Sequence, residues 1–214
     1  MEKPIIATTL AGLFVKKNAW NKAHILWYAN AAKKLKDPSV NQWANRPDYF
    51  RGVDEVMRRL CPALKDAERT VRARRTFFDS VVRYIAENPE VRNNEIIAYF
   101  KSLKNKYRLA LITTNTKHAL EKILTATKLQ NLFDIVEASE ESEKDDKLAV
   151  FKRFKAKYGN PAVYIGGDGE DSFDYCKQNN IPHIFANLEN TKEIEEVESV
   201  RNLKELKKHL RNLS

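Results

Sequence analysis

Cysteine and glycine are scarce in this chain, and long apolar runs are missing. The 214 residues include two cysteines, Cys61 and Cys176, which have no CxxC or other ligand spacing. This argues against a disulfide framework and against a zinc site. No apolar run approaches the roughly 20 residues that cross a bilayer, and the N-terminus lacks a basic stretch followed by a secretory core. We therefore expect a cytoplasmic protein with no membrane partner and with both thiols buried.

The composition is that of a globular protein with one unevenly charged segment. Apolar residues make up 43% of the chain and charged residues 31%, with a net charge of +9. From Lys16 to Arg108 there are 21 Lys and Arg against 10 Asp and Glu, whereas the remainder is nearly neutral. A basic run at Arg72, Arg74 and Arg75 lies in this segment. This run could bind an anionic ligand or the phosphates of a nucleic acid, or it could form a solvated helical face. The last interpretation is favoured.

The order of patterns along the chain predicts an α/β fold with a helical insertion. A short strand is predicted over Pro4–Leu10, followed by a turn at Ala11 and Gly12. The next block lacks a period-2 strand and instead has helical patterns, over residues 19–35, 53–60, 67–85 and 94–100. Strands then alternate with helices. The strands cover 109–112, 133–138, a run beginning at Val163, and 183–186, and the helices cover 117–127, 147–158, 172–179 and 203–210. Such alternation is typical of βαβ units in a parallel sheet.

One apolar strand leads directly into glycines and acids. Val163, Tyr164 and Ile165 are followed by Gly166 and Gly167, and then by three carboxylates within four residues, at Asp168, Glu170 and Asp171. Ligands of open α/β sheets bind at the carboxyl ends of the strands. Carboxylates there suit Mg²⁺, which takes oxygen ligands. The alternative is a solvated acidic turn.

Four segments in this order resemble the haloacid dehalogenase (HAD) superfamily of hydrolases. They are the first strand, the strand Leu109–Asn115, the approach Phe133–Glu140, and Tyr164–Asp168 followed by Asn180–Pro182. The resemblance covers nearly the whole chain. It implies a three-layer, Rossmann-like parallel-sheet core over residues 1–16 and 104–214, with a C1-type α-helical cap over residues 17–103.

The first motif of that superfamily is degenerate here. In the superfamily, an Asp that ends the first strand attacks the substrate, and a second Asp two residues later acts as general acid and base. The resemblance places Thr8 at the nucleophile position and Leu10 at the acid/base position. A shifted alignment does not help, because after Glu2 the next acidic residue is Asp37. A Thr hydroxyl needs a base to become a nucleophile, and Leu10 cannot act as one.

The second and third motifs imply phosphate-binding groups. Thr114, followed by Asn115, corresponds to the second-motif hydroxyl. Alternatively, Thr114 caps the helix that follows. Lys144 corresponds to the third-motif lysine, with Lys147 in reserve, although Asp145 follows Lys144 where proline is usual. A solvated lysine is the alternative at this position.

The fourth motif implies a weakened magnesium site. Asp168 is the main candidate ligand, assisted by Asp171 or Glu170, while Ser172 stands where the last acid is usual. The carboxylate that the first strand would contribute is missing. Any Mg²⁺ would therefore be held by fewer protein oxygens than in the superfamily.

Three functions follow as hypotheses. The first is a catalytically impaired relative, phosphatase-like by descent, that binds a phosphorylated small molecule or a protein partner. The second is an active phosphohydrolase with a rearranged site, in which a metal on Asp168 and Asp171 activates water. The third, ranked last, is nucleic-acid binding through the basic cap. The sequence names neither a substrate nor an oligomeric state.

Overall fold

The structure, a computed structural model, describes residues 2–45, 49–143, 146–167 and 169–211. Within them lies a six-stranded, wholly parallel sheet in the order β3-β2-β1-β4-β5-β6. The strands are β1 Ile5–Thr8, β2 Arg108–Thr116, β3 Ile135–Ser139, β4 Val163–Gly166, β5 His183–Ala186 and β6 Ser199–Val200. The helices are α1 Asn18–Leu35, α2 Tyr49–Leu60, α3 Asp66–Glu87, α4 Asn94–Leu103, α5 Lys117–Thr127, α6 Lys147–Tyr158, α7 Glu170–Gln178 and α8 Leu203–Arg211, with short 3₁₀ helices at Pro38–Asn45 and Pro89–Val91.

The sheet is the middle of three layers because each central strand is apolar on both sides. In β1, Ile6 belongs to the cluster that includes α5 and α8, whereas Ala7 belongs to the cluster that includes α6 and α7. In β4, Ile165 belongs to the first of these clusters and Tyr164 to the second. Strands buried on both faces are typical of parallel sheets covered by helices. The predicted α/β class and three-layer core are confirmed.

The insertion after β1 is helical and has a core of its own. Its buried cluster joins α1, α2, α3 and the first 3₁₀ helix through Trp27, Val40, Val56, Met57 and Ala73. The indole nitrogen of Trp27 donates a hydrogen bond to the Thr76 hydroxyl at 2.9 Å, tying α1 to α3. The cap can therefore bury apolar surface without the sheet.

The two segments that join the insertion to the core pair with each other. The Lys16 amide donates to the Val91 carbonyl at 2.8 Å, and the Asn93 amide donates to the Phe14 carbonyl at 2.9 Å. Phe100 of α4 packs on Phe14 with ring centroids 4.9 Å apart, within the same cluster as the sheet. The boundary at residue 103 stays a prediction.

The structure differs from the sequence-based expectation in a few places. The first strand ends at Thr8 rather than Leu10, and β2 continues to Thr116 rather than ending at Ile112. The extension is polar but largely buried, because it pairs with β3 across a register shift. β6 was not predicted, since two residues give no periodic signal. Cys176 is buried as expected, whereas Cys61 is half-buried. No helix in the described ranges is long and apolar enough to cross a membrane.

Candidate functional site

The candidate site lies at the carboxyl edge of the sheet, where β1 ends at Thr8, β2 at Thr116 and β4 at Gly166. Thr8 is fully buried, and its hydroxyl donates a hydrogen bond to the Ala110 carbonyl of β2 at 2.9 Å. In a parallel pair, carbonyls of alternate residues face the same neighbour. The Ala110 and Ile112 carbonyls therefore both face β1, about 6.6 Å apart. β1 ends at Thr8. The Ile112 carbonyl, two residues beyond Ala110 on β2, accepts a hydrogen bond from the ammonium group of Lys147.

Lys147, the reserve candidate for the third-motif lysine, thus lies at the seam between β1 and β2. It is half-buried on the first turn of α6, and its ammonium also lies 5.8 Å from the centre of the Phe151 ring. Asp146 caps this helix by accepting a hydrogen bond from the Ala149 amide at 3.0 Å. This hydrogen bond to the Asp146 side chain fixes the residue at which α6 starts, and so directs Lys147 toward the sheet. Lys144 lies outside the described residues, and its role stays a prediction.

Leu10 is part of the protein core. Its side chain is fully buried in the larger apolar cluster of the sheet. Its carbonyl accepts hydrogen bonds from the Phe14 and Val15 amides at 3.1 and 3.2 Å, which fold the chain back after β1. A hydrocarbon in this position offers neither a proton nor a lone pair to a reacting group.

The loops after β1 and β4 touch through glycines. A Cβ added to Gly12 would lie 2.3 Å from the Gly167 carbonyl oxygen, and one added to Gly167 would lie 2.4 Å from the Ala11 carbonyl oxygen. Gly12 also has a φ of +76°, which side-chain-bearing residues rarely adopt. The two loops on either side of the candidate site are therefore packed backbone to backbone.

The end of β2 is ordered by its own polar side chains. The Thr113 hydroxyl accepts hydrogen bonds from the Asn115 amide at 3.1 Å and from the Asn115 side chain at 2.8 Å. Thr116 caps α5 by accepting from the Ala119 amide at 3.3 Å. The alternative considered for Thr114, a helix cap, is therefore wrong, since Thr116 fills that role. Thr114 is half-buried at the carboxyl edge.

One arginine of the cap reaches this edge. The Arg74 guanidinium of α3 donates to the Thr114 carbonyl at 2.6 Å, to the Glu140 carbonyl at 3.3 Å and to the Glu143 carbonyl. Sequence reasoning singled out the basic run but favoured a solvated face. The acceptors lie 40 to 69 residues away in the chain, so no local pattern could identify them.

The acids that follow β3 are paired with cations of the same chain. Glu140 accepts from Lys117, Glu141 from Arg75 at 2.5 Å, and Glu143 from Arg153 at 2.8 Å. The hydrogen bond from Arg75 lowers the pKa of the Glu141 carboxyl, and that from Lys117 lowers the pKa of Glu140. The carboxylates of Glu140 and Glu141 therefore stay ionised as internal counterions rather than acting as proton donors.

The described residues do not form a magnesium site. Asp171 is exposed on α7 and lines an open groove between α6 and α7 together with Asp174 and Lys152. Ser172 is buried. No group of three His, Cys, Asp or Glu residues within the described parts of the chain could hold a metal ion. Asp168 lies outside these parts, so its role and that of Asp171 stay predictions.

Comparisons with known proteins agree on the fold. No protein-family model and no curated protein sequence matches the chain. Among solved structures, a β-phosphoglucomutase from Clostridium difficile superposes with a TM-score of 0.65 at 16% identity, covering 100% of this chain and 97% of that one.

Two further solved structures superpose over nearly their full length. A HAD phosphatase from Thermococcus onnurineus has a TM-score of 0.63 at 16% identity, covering 98% of both chains. The putative HAD-hydrolase YfnB from Bacillus subtilis, bound to magnesium, has 0.62 at 13%, covering 99% of this chain and 100% of that one. The chain therefore has the HAD-like hydrolase fold, as the sequence motifs predicted.

Proposed function

We propose that this protein binds a phosphorylated ligand at the carboxyl edge and does not hydrolyse it through an aspartyl-phosphate. One observation carries the proposal. At the seam between β1 and β2, the ammonium of Lys147 is present while the end of β1 is neutral, with the Thr8 hydroxyl bonded to the Ala110 carbonyl and Leu10 buried. The cation that would hold a phosphoryl oxygen, Lys147, is present. The two positions that would attack the substrate and transfer protons hold Thr8 and Leu10 instead of aspartates.

The chemistry of these groups favours binding over turnover. Nucleophilic attack by Thr8 would require a base to remove its proton, and Leu10 cannot accept one. An ammonium group has three donor hydrogens, and the Ile112 carbonyl takes one from Lys147. Charge-assisted hydrogen bonds from such a cation to a phosphoryl oxygen are of the stronger kind.

A neutral end of β1 also changes the need for a metal. In enzymes of the HAD superfamily, which the sequence motifs resemble, Mg²⁺ offsets repulsion between an anionic nucleophile and an anionic substrate. Here that repulsion is reduced, because Thr8 and Leu10 carry no charge. Lys147 and Arg74 bring positive charge to the same edge. We therefore expect phosphate binding that does not depend on a divalent cation.

Calorimetric titration with inorganic phosphate, in the presence of a chelator, tests this proposal. Lys147→Met should weaken binding about tenfold or more, since hydrogen bonds to charged groups contribute about 1.5–3 kcal/mol. Lys152→Met is the matched control, because Lys152 is exposed on the same helix and faces the α6–α7 groove. Absence of phosphate binding by the unmodified protein at millimolar concentrations, or equal binding by both variants, would contradict the proposal.

We do not extend the proposal to nucleic acid. Arg74 donates to three carbonyls of the same chain, and Arg75 is paired with Glu141. Two of the three arginines in the basic run are thus engaged within the fold. This weakens the sequence-based case for a phosphate-backbone contact through the cap.

A further inference from the structure

We propose that the outer face of α1 docks on a lipid bilayer that carries anionic headgroups. This outer face consists of five exposed residues, Lys22, Ile25, Leu26, Ala29 and Lys33. The proposal concerns the surface of the helical insertion and does not depend on what the carboxyl edge of the sheet binds. The sequence-based expectation of no membrane partner rested on the lack of a spanning segment, which a helix lying on a bilayer surface does not need.

The five residues form one continuous stripe on the side of α1 that points away from the protein core. An α-helix turns about 100° per residue, so these positions all fall within about 100° of its circumference. The opposite side is buried. Trp27 and Ala31 pack in the apolar cluster of the cap, and Ala23 packs in the cluster that includes the sheet. α1 is thus held by the fold along one side and meets solvent along the other.

Two large apolar side chains lie next to each other on this face. Ile25 and Leu26 are 45% and 46% exposed. The other exposed large apolar side chains in the described ranges, Val136, Leu148 and Tyr158, lie on β3 and α6. Single exposed apolar residues are normal on a protein surface, whereas contiguous ones indicate an interaction site. The pair on α1 projects from a convex helical surface, so it suits a partner that adapts its own shape.

The cations on the outer face of α1 have no counterions in the fold. No Asp or Glu lies between Glu2 and Asp37, a stretch that contains seven lysines. Elsewhere on the cap, cations pair with acids of the same chain, as Arg59 does with Asp37 at 2.7 Å. Within the described parts of the chain, neither Lys22 nor Lys33 forms such an ion pair. Their charges therefore remain available to an external anion.

A bilayer with anionic lipids offers a partner to both kinds of side chain. Each lysine near such a surface strengthens binding about fivefold, and the boundary between headgroups and acyl chains takes up Ile25 and Leu26. The lysine stems can lie along the apolar region while their ammonium groups reach the headgroups. Nucleic acid phosphates would attract the lysines but would leave the apolar pair against a charged backbone. The absence of acids also favours a bilayer, because its negative surface repels carboxylates.

Cosedimentation of the purified protein with lipid vesicles tests the proposal. We expect binding to vesicles of phosphatidylcholine mixed with phosphatidylserine and not to phosphatidylcholine alone, and we expect added salt to weaken it. Lys22→Gln combined with Lys33→Gln should lower the affinity about 20-fold. The matched control, Lys204→Gln combined with Lys208→Gln, removes the same charge from exposed positions of α8. Screening limits its effect to about twofold.

The apolar pair distinguishes a bilayer from other anionic partners. Ile25→Ser combined with Leu26→Ser should lower the affinity for the mixed vesicles about tenfold or more. Leu148→Ser, at a position 38% exposed on α6, is the control and should leave the affinity unchanged. All these positions are exposed, and urea unfolding checks that each variant is folded.

Three results would overturn the proposal. The first is equal binding, or no binding, to the two kinds of vesicle. The second is an affinity for the mixed vesicles that Ile25→Ser combined with Leu26→Ser does not change. The third is binding to a DNA duplex or to polyglutamate without binding to the mixed vesicles, which would assign the outer face of α1 to another anionic partner.

Discussion

Gly12→Ala is expected to lower the free energy of unfolding by about 2–5 kcal/mol, or to prevent folding. A left-handed φ costs a residue with a side chain about 1–2 kcal/mol, and overpacking adds about 1–3 kcal/mol. The added Cβ would lie 2.3 Å from the Gly167 carbonyl oxygen, a contact that only movement of the backbone could relieve. Urea unfolding measures the loss.

Gly159→Ala is the matched control for this prediction. Gly159 has the same φ of +76°, but a Cβ placed there meets nothing within 4 Å. It should therefore show the conformational cost alone, about 1–3 kcal/mol, because its ψ of −167° places it in a backbone region essentially confined to glycine. The difference between the two variants isolates the contact between the loops after β1 and β4. Equal losses would show that these loops are not packed as described.

Leu10→Asp is expected to destabilise the protein by at least about 3–5 kcal/mol at neutral pH. The leucine is fully buried among apolar residues, so the substitution both removes packing and places a carboxylate without a partner in the core. Restoring the residue type of the superfamily at this position should thus harm the fold rather than restore activity. Unfolding by urea at pH 7 gives the magnitude.

The pH dependence of the stability of Leu10→Asp distinguishes the effect of the buried charge from that of the changed side-chain shape. Burial raises the pKa of a carboxyl in the folded state above its value of about 4 in the unfolded state. The unfolded state then releases its proton first, so the variant loses stability as pH rises through and above about 4. Leu10→Asn has a similar shape and no charge, and its stability relative to the unmodified protein should not follow this trend. Parallel profiles for the two variants would mean that the new carboxyl is solvated.

The fold could be predicted from the sequence because its signals are local and agree with one another. The bounds predicted for α5 and α6, 117–127 and 147–158, match those observed. Each of these helices follows a capping side chain, Thr116 or Asp146, and α6 ends at Gly159. The apolar runs of β1, β2 and β4 contain enough consecutive residues to identify buried strands. β6 has two residues and pairs only along the sheet edge, which leaves no periodic pattern.

The candidate site was less accessible to sequence reasoning because its contacts are long-range. The neutral residues Thr8 and Leu10 were visible once the motifs were aligned. The position of Lys147 depends on where α6 begins relative to β2, which a one-dimensional pattern does not fix. Asp171 lies on the face of α7 that lines the groove with α6. Which way it faces depends on the orientation of α7 about its own axis, which the sequence pattern does not fix.

The most direct test of the account is the Mg²⁺-dependent hydrolysis of a phosphomonoester such as p-nitrophenyl phosphate by the purified protein. Loss of a covalent nucleophile can lower kcat on the order of 10⁶-fold in other hydrolases. We therefore predict a rate equal to that of the Asp168→Asn variant and indistinguishable from the uncatalysed reaction. Turnover that requires Mg²⁺ and is abolished by Asp168→Asn would contradict the account and favour a rearranged, metal-dependent phosphohydrolase.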